Sequence, residues 1–240
     1  LQSVLAFEVI FAFAQAMSNK PHVFLISGLG ADARAFDRVN LDGYEVTHLN
    51  WLIPERGETM NQYAQRLAEP MNGKANSVVI GVSLGGMLAS EMTTFLPDMR
   101  AILISSIKSP EERSLILKAG RVFPVHGLVP VSFMKRMSFL WTYAKRKYPE
   151  EDVKHMIQMF RETDSRFLRW GMMNAPRWKG RGDASRISHI HGDRDLMFPI
   201  GRIRGCEVVQ GGTHLMVYQR GEEVTRLIRA RLEHWYPSAT

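Results

Sequence analysis

Short apolar runs of strand length alternate with longer amphipathic stretches along most of this 240-residue chain. Residues 22–27, 44–49, 77–82, 101–105, 187–191 and 206–210 read as strands. Helical periodicity falls between them, over 31–39, 58–71, 84–95 and 222–236. Pro97 stands where the third of these should stop. Runs such as Val23–Ile26 and Val78–Ile80 are apolar throughout, as strands covered on both faces require. Strand and helix in alternation predict an α/β fold with a mainly parallel sheet of about six strands.

One interval departs from that rhythm. Residues 107–182 contain no convincing strand but carry helical patterns rich in methionine and aromatic residues. They read as a helical insertion between two strands of the sheet. Within it, Met134, Trp141, Met159 and Trp170 are the candidates for lining a substrate pocket. Flexible thioethers and flat rings suit an adaptable apolar site, but they suit the insertion's own core equally well. Residues 17–106 and 183–240 make up the remaining α/β core.

Charge sharpens this division. The formal net charge is +7. Residues 107–182 hold sixteen Lys/Arg against seven Asp/Glu, a net of +9, and the rest of the chain holds fifteen against seventeen, a net of −2. The basic excess therefore belongs to the insertion alone, which describes a helical cover, apolar beneath and charged outside. No nucleic-acid-binding module is legible, so nucleic acid is not an expected partner. Without such a module a basic patch reads first as a solvated face, with attraction of an anionic substrate or an acidic membrane surface as the lesser alternative.

The first sixteen residues are apolar apart from Gln2, Ser3, Glu8 and Gln15. They are too few to span a bilayer comfortably, so no stable membrane insertion is expected. Ala14-Gln15-Ala16 has the small-x-small form of a signal-peptidase site, but no basic residue precedes it and Glu8 interrupts the run. Residues 1–16 are read as an upstream extension, with the tail of a secretory signal or an element packed on the body as alternatives. The first reading goes with a cytoplasmic protein, the second with a secreted or periplasmic one. Cys206 is the single cysteine, so no internal disulfide can form, and its apolar surroundings suggest a structural thiol.

Gly81-Val82-Ser83-Leu84-Gly85 has the form G-x-S-x-G, and it joins a strand to a helix. In that setting a serine sits on a sharp, strained turn with its hydroxyl lifted above the sheet edge. A hydroxyl needs a base, and His214 in Gly211-Gly212-Thr213-His214 follows the last strand in a glycine-rich loop. His22, His48, His126, His155, His189 and His234 lie inside strands, the insertion or the terminal helix and read as structural. An acid must orient the imidazole, and His191-Gly192-Asp193-Arg194-Asp195 offers two. Asp195 is preferred, because Asp193 can pair with Arg194 or cap the turn.

The order Ser83, Asp195, His214 and the loops around them resemble the α/β-hydrolase superfamily over residues 20–236. Ser27-Gly28-Leu29-Gly30 resembles the family's His-Gly-x-Gly oxyanion loop, with serine in the histidine's place. Thr213 departs from the usual Gly-His pair. The resemblance implies an oxyanion hole made by the backbone N–H groups of Leu29 and Leu84, and a lid at 107–182. It also implies hydrolysis of a carboxylic ester or related acyl compound through an acyl-enzyme, and the Met and aromatic content of 107–182 suggests a mainly apolar small molecule as substrate. Thioester, amide or carbon–carbon hydrolysis, acyl transfer, cyanohydrin cleavage and slow-turnover ligand binding share the same residues. No cofactor or metal is expected, since no ligand cluster or phosphate loop is present and Gly28-Leu29-Gly30 lacks the third glycine of a dinucleotide fingerprint. Oligomeric state is not legible.

Overall fold

The computed structural model describes residues 20–122, 129–138 and 150–237. Residues 1–16 and Trp141 therefore lie outside the described residues. Six strands form one sheet: β1 (His22–Ile26), β2 (Glu45–His48), β3 (Ser77–Val82), β4 (Arg100–Ile104), β5 (Ile187–Gly192) and β6 (Glu207–Val209). Their order is β2-β1-β3-β4-β5-β6, and every neighbouring pair is parallel. The strands begin and end within a residue or two of the stretches read from the apolar runs.

Both faces of the sheet are covered, and the pleat divides each strand between them. Phe24, Ile26, Val79, Ala101 and Leu103 face one core, packed with α1 (Met60–Leu67) and α2 (Leu84–Met92). Val23, Leu25, Val78, Ile80, Ile102 and Ile104 face the other, closed by α7 (Met216–Gln219) and α8 (Gly221–Trp235). This is why the central strands lack polar alternation: neither face meets water.

Two predicted helices are shorter than their periodicity suggested. Residues 31–39 contain one 3-10 turn, Ala33–Phe36, capped by the Asp32 carboxylate on the Arg34 amide. The 58–71 stretch holds α1, opened by a Thr59–Gln62 capping box, and then a separate 3-10 turn at Glu69–Met71. Pro70, which has no N–H to continue the helical ladder, falls at that break.

The chain leaves the sheet after β4 and returns at β5. Between them the described residues form α3 (Leu115–Val122), α4 (Val131–Met137), α5 (Glu150–Glu162) and α6 (Ser165–Asn174), with no strand. Among the described residues no helix is long and apolar enough to cross a membrane.

Candidate active site

Ser83 occupies the single residue between β3 and α2, at φ 53° and ψ −116°. A non-glycine residue in that region is strained, and it persists only where its surroundings over-determine it. Here the Ser83 amide donates to the Ile104 carbonyl at 3.0 Å, and the Ser106 hydroxyl donates to the Ser83 carbonyl at 2.6 Å. The flanking glycines are steric necessities. A Cβ on Gly81 would lie 2.4 Å from the Gly85 carbonyl oxygen, and one on Gly85 would lie 2.3 Å from that of Ser27.

The other two loops meet by the same device. A Cβ on Gly192, at the end of β5, would stand 2.2 Å from the Gly212 carbonyl oxygen. Asp193 accepts the Gly211 amide at 2.6 Å, tying the acid-bearing turn to the histidine loop. Asp195 is buried at 2% exposure, with Oδ1 accepting the amides of Met197 and Phe198 at 2.8 and 2.9 Å. Its Oδ2 accepts His214 Nδ1–H at 2.8 Å, and the Ser83 hydroxyl donates to His214 Nε2 at 3.0 Å. Ser83, His214 and Asp195 thus form one continuous relay, and Asp193 is employed elsewhere. Thr213 supports the loop by accepting the Leu215 amide and donating to Gln219 Oε1 at 2.9 Å.

Burial would push the Asp195 carboxyl up. The His214 hydrogen bond and charge and the Phe198 amide outweigh it, so the group sits below the usual carboxylate range. It is therefore an anion at neutral pH, and that holds His214 in the tautomer whose Nε2 can take a proton from Ser83.

Behind Asp195 lies a histidine that sequence reading did not single out. His191 is fully buried and donates Nε2–H to the Phe198 carbonyl at 2.7 Å. Its Nδ1 faces His189 Nε2 at 3.3 Å, and its Nε2 stands 3.7 Å from Asp195 Oδ2. Burial lowers the pKa of both, that of His189 strongly, so they form a neutral pair. The signal was there in His191-Gly192-Asp193-Arg194-Asp195. A histidine four residues before the acid can brace its turn, but spacing alone does not tell a brace from a core residue.

A cavity of about 370 Å³ opens over Ser83 and His214. Among the described residues no Asp, Glu, Lys or Arg lines it. Its walls include Met87, Leu117, Met134, Met156, Phe160, Met172 and Phe198. Leu29 and Leu84 line it beside Ser83. The Leu84 amide opens α2, where no helical carbonyl can reach it. The Leu29 amide finds no backbone acceptor among the described residues. Its loop is closed instead by Ser27 Oγ–H and Trp51 Nε1–H, which both donate to the Ala31 carbonyl, at 2.9 and 2.8 Å.

Two of the pocket expectations need correction. Met159 is fully buried in the core with Ala35 and Phe36 and does not line the cavity. On α5 it is Met156 and Phe160, four residues apart and on one face, that do so, whereas Met159 points to the adjoining face. Trp170 is also a core residue. It stacks on Tyr63 with centroids 4.2 Å apart and donates its indole N–H to the Glu58 carbonyl at 2.8 Å. Met172, two residues on and on the opposite face of α6, lines the cavity in its place. Among the described residues no group of three or more His, Cys, Asp or Glu is placed to hold a metal ion.

Comparison with known proteins gives a consistent picture. The family model described as "Alpha/beta hydrolase family" matches residues 22–227. Among solved structures, a thermophilic esterase from Thermogutta terrifontis superposes with a TM-score of 0.67 at 19% identity, covering 90% of each chain. An esterase from Exiguobacterium antarcticum gives 0.68 at 14% identity, covering 89% of this chain and 92% of that one. The enol-lactonase from Burkholderia xenovorans LB400 gives 0.63 at 14% identity, over 88% and 90%. At these identities the likeness is one of fold. No curated protein matches the chain in sequence.

Proposed function

The chain belongs to the alpha/beta hydrolase family, and from that premise we propose that it is a serine hydrolase cleaving carboxylic esters of apolar small molecules through an acyl-enzyme. The observation that carries this reading is the unbroken relay Ser83–His214–Asp195 beneath a cavity free of formal charge among the described residues. His214 Nε2 takes the Ser83 proton as Oγ attacks the ester carbonyl. The tetrahedral oxyanion forms beside the Leu29 and Leu84 amides, whose contribution to the transition state is of the order of 3 kcal/mol each. His214 then returns the proton to the leaving alcohol and later draws one from the water that releases the acid. Asp195 stays ionised and stabilises the imidazolium at each stage.

The family likeness and the cavity lining also support reading residues 107–182 as a lid over the core formed by 17–106 and 183–240. Leu117, Met134, Met156, Phe160 and Met172 all come from that segment, so the choice of acyl or alcohol group rests largely with it. This reading takes an uncharged, mainly apolar substrate, because a charged group buried there would meet no charged partner among the described residues.

The test is direct. A fluorophosphonate probe should label the wild-type protein and leave Ser83→Ala unlabelled. Turnover of short-chain aryl esters should fall in that variant by about 10³-fold or more. Equal ester turnover by wild type and Ser83→Ala, with no labelling of either, would remove the proposal.

A further inference from the structure

From the surface of the segment between β4 and β5 we infer that the protein docks on anionic lipid, through the exposed sides of α3 and α4, two helices that also wall the cavity. Over α3 and α4 the sequence holds four Lys/Arg, Lys118, Arg121, Lys135 and Arg136, and no Asp or Glu. Of the two helices, α3 buries none of its residues. Leu115, Ile116 and Val122 on α3 are 68%, 59% and 67% exposed, and Phe133 on α4 is 55% exposed. A surface helix ordinarily turns its apolar stripe inward. Lys118 and Arg121 stand among the aliphatic residues of α3, and Arg136 follows Phe133 on α4; all three are exposed, and none forms an ion pair among the described residues.

Charge and shape select the occupant. An unpaired cationic face attracts an anionic surface, and bare aliphatic side chains beside the cations suit an interface where phosphate head groups lie above acyl chains. Nucleic acid would satisfy the cations but leave Leu115, Ile116 and Val122 in water. A second copy docked through the same face would set like charges against each other, because a two-fold interface brings a patch against itself. The same two helices also send Leu117 and Met134 into the cavity, so whatever covers their outer sides lies against elements that wall the site. A lipid surface there would supply apolar substrate without passage through water. The docking does not depend on the hydrolase reading, because binding is measured without turnover.

The experiment is co-sedimentation of the full chain with phosphatidylcholine vesicles, with and without phosphatidylglycerol. Wild type and Ser83→Ala should pellet alike, and only with the anionic vesicles. The pair Lys118→Glu with Arg121→Glu should lower partitioning by about 25-fold or more, at roughly fivefold for each lost cation. The pair Ile116→Ser with Val122→Ser should also weaken it while keeping wild-type turnover of a soluble short-chain ester. Failure of wild type to pellet with phosphatidylglycerol would overturn the inference, as would equal pelleting with pure phosphatidylcholine. Vesicle binding unchanged in both double variants would overturn it too. So would a protein that self-associates through this face, seen as a concentration-dependent mass by light scattering that the apolar variant abolishes.

Discussion

At the scale of single residues, the relay depends on how Asp195 is held as much as on its contact with His214. Its two oxygens are divided: Oδ1 takes the Met197 and Phe198 amides, and Oδ2 takes the imidazole. His191 locks that turn from behind by donating to the Phe198 carbonyl, and its N–H dipole also points near Oδ2. His191 is therefore a positioning residue. His191→Phe, which keeps a planar ring and loses the donor, should lower kcat by about tenfold or more with little change in KM, because misplacement of a reacting group costs transition-state binding alone. The low-field proton resonance of His214 Nδ1–H should shift or broaden in the same variant, and His191→Gln should recover part of both. An unchanged kcat and an unchanged resonance in His191→Phe would reduce the residue to core filling. Ser83, His214 and Asp195 could be picked out in the sequence because tight turns demand glycines at fixed offsets, and the glycines mark the place. His191 could not, since nothing in the local sequence separates a buried donor from a buried spacer.

At the scale of elements, the central strands β1, β3 and β4 were the most legible part of the fold, because burial on both faces leaves few polar residues to obscure them. The stretch 31–39 was over-read as a helix: its apolar residues anchor a single 3-10 turn, and periodicity over so short a span does not distinguish the two. The helices between β4 and β5 show the other limit. A methionine-rich stretch announces apolar contacts without saying which face meets a core and which meets a cavity. On α5 the two neighbours Met156 and Met159 divide in this way, and the division is testable. Met156→Ala should widen the cavity and move ester preference toward longer chains, read as kcat/KM across a graded series. Met159→Ala should leave that preference in place and cost about 2–5 kcal/mol of stability in denaturant unfolding. A shift of chain-length preference in the Met159 variant, with none in the Met156 variant, would reverse the assignment of faces.

At the scale of the whole molecule, charge was legible as a quantity but its arrangement was not. The sum over 107–182 could be counted in the sequence, whereas the exposure of α3 could not. The same holds for acid stability, which depends on which histidines end up buried. His189 and His191 lie in the interior beneath the site, and burial holds both pKa values below the ordinary histidine value, that of His189 well below. Burial lowers His22 and His48 in the same direction. Above about pH 6.5 these groups are neutral in the folded and the unfolded chain alike, and their contribution to stability is fully present. Below that value the unfolded chain takes up protons that the folded chain refuses, so stability falls as the pH drops toward the folded-state values. Each strongly shifted histidine adds a slope approaching 1.4 kcal/mol per pH unit in that window. Asp195, also held low, contributes above the ordinary carboxylate value of about 3.9 and loses its contribution only as the pH falls further, so it does not set the first decline. Denaturant midpoints measured from pH 7.5 down to about pH 5 should therefore fall before the carboxylates titrate. His189→Gln, which cannot take up a proton in either state, should flatten that slope relative to wild type whatever it does to stability at pH 7.5. A slope that stays the same in the variant would place the acid sensitivity outside His189.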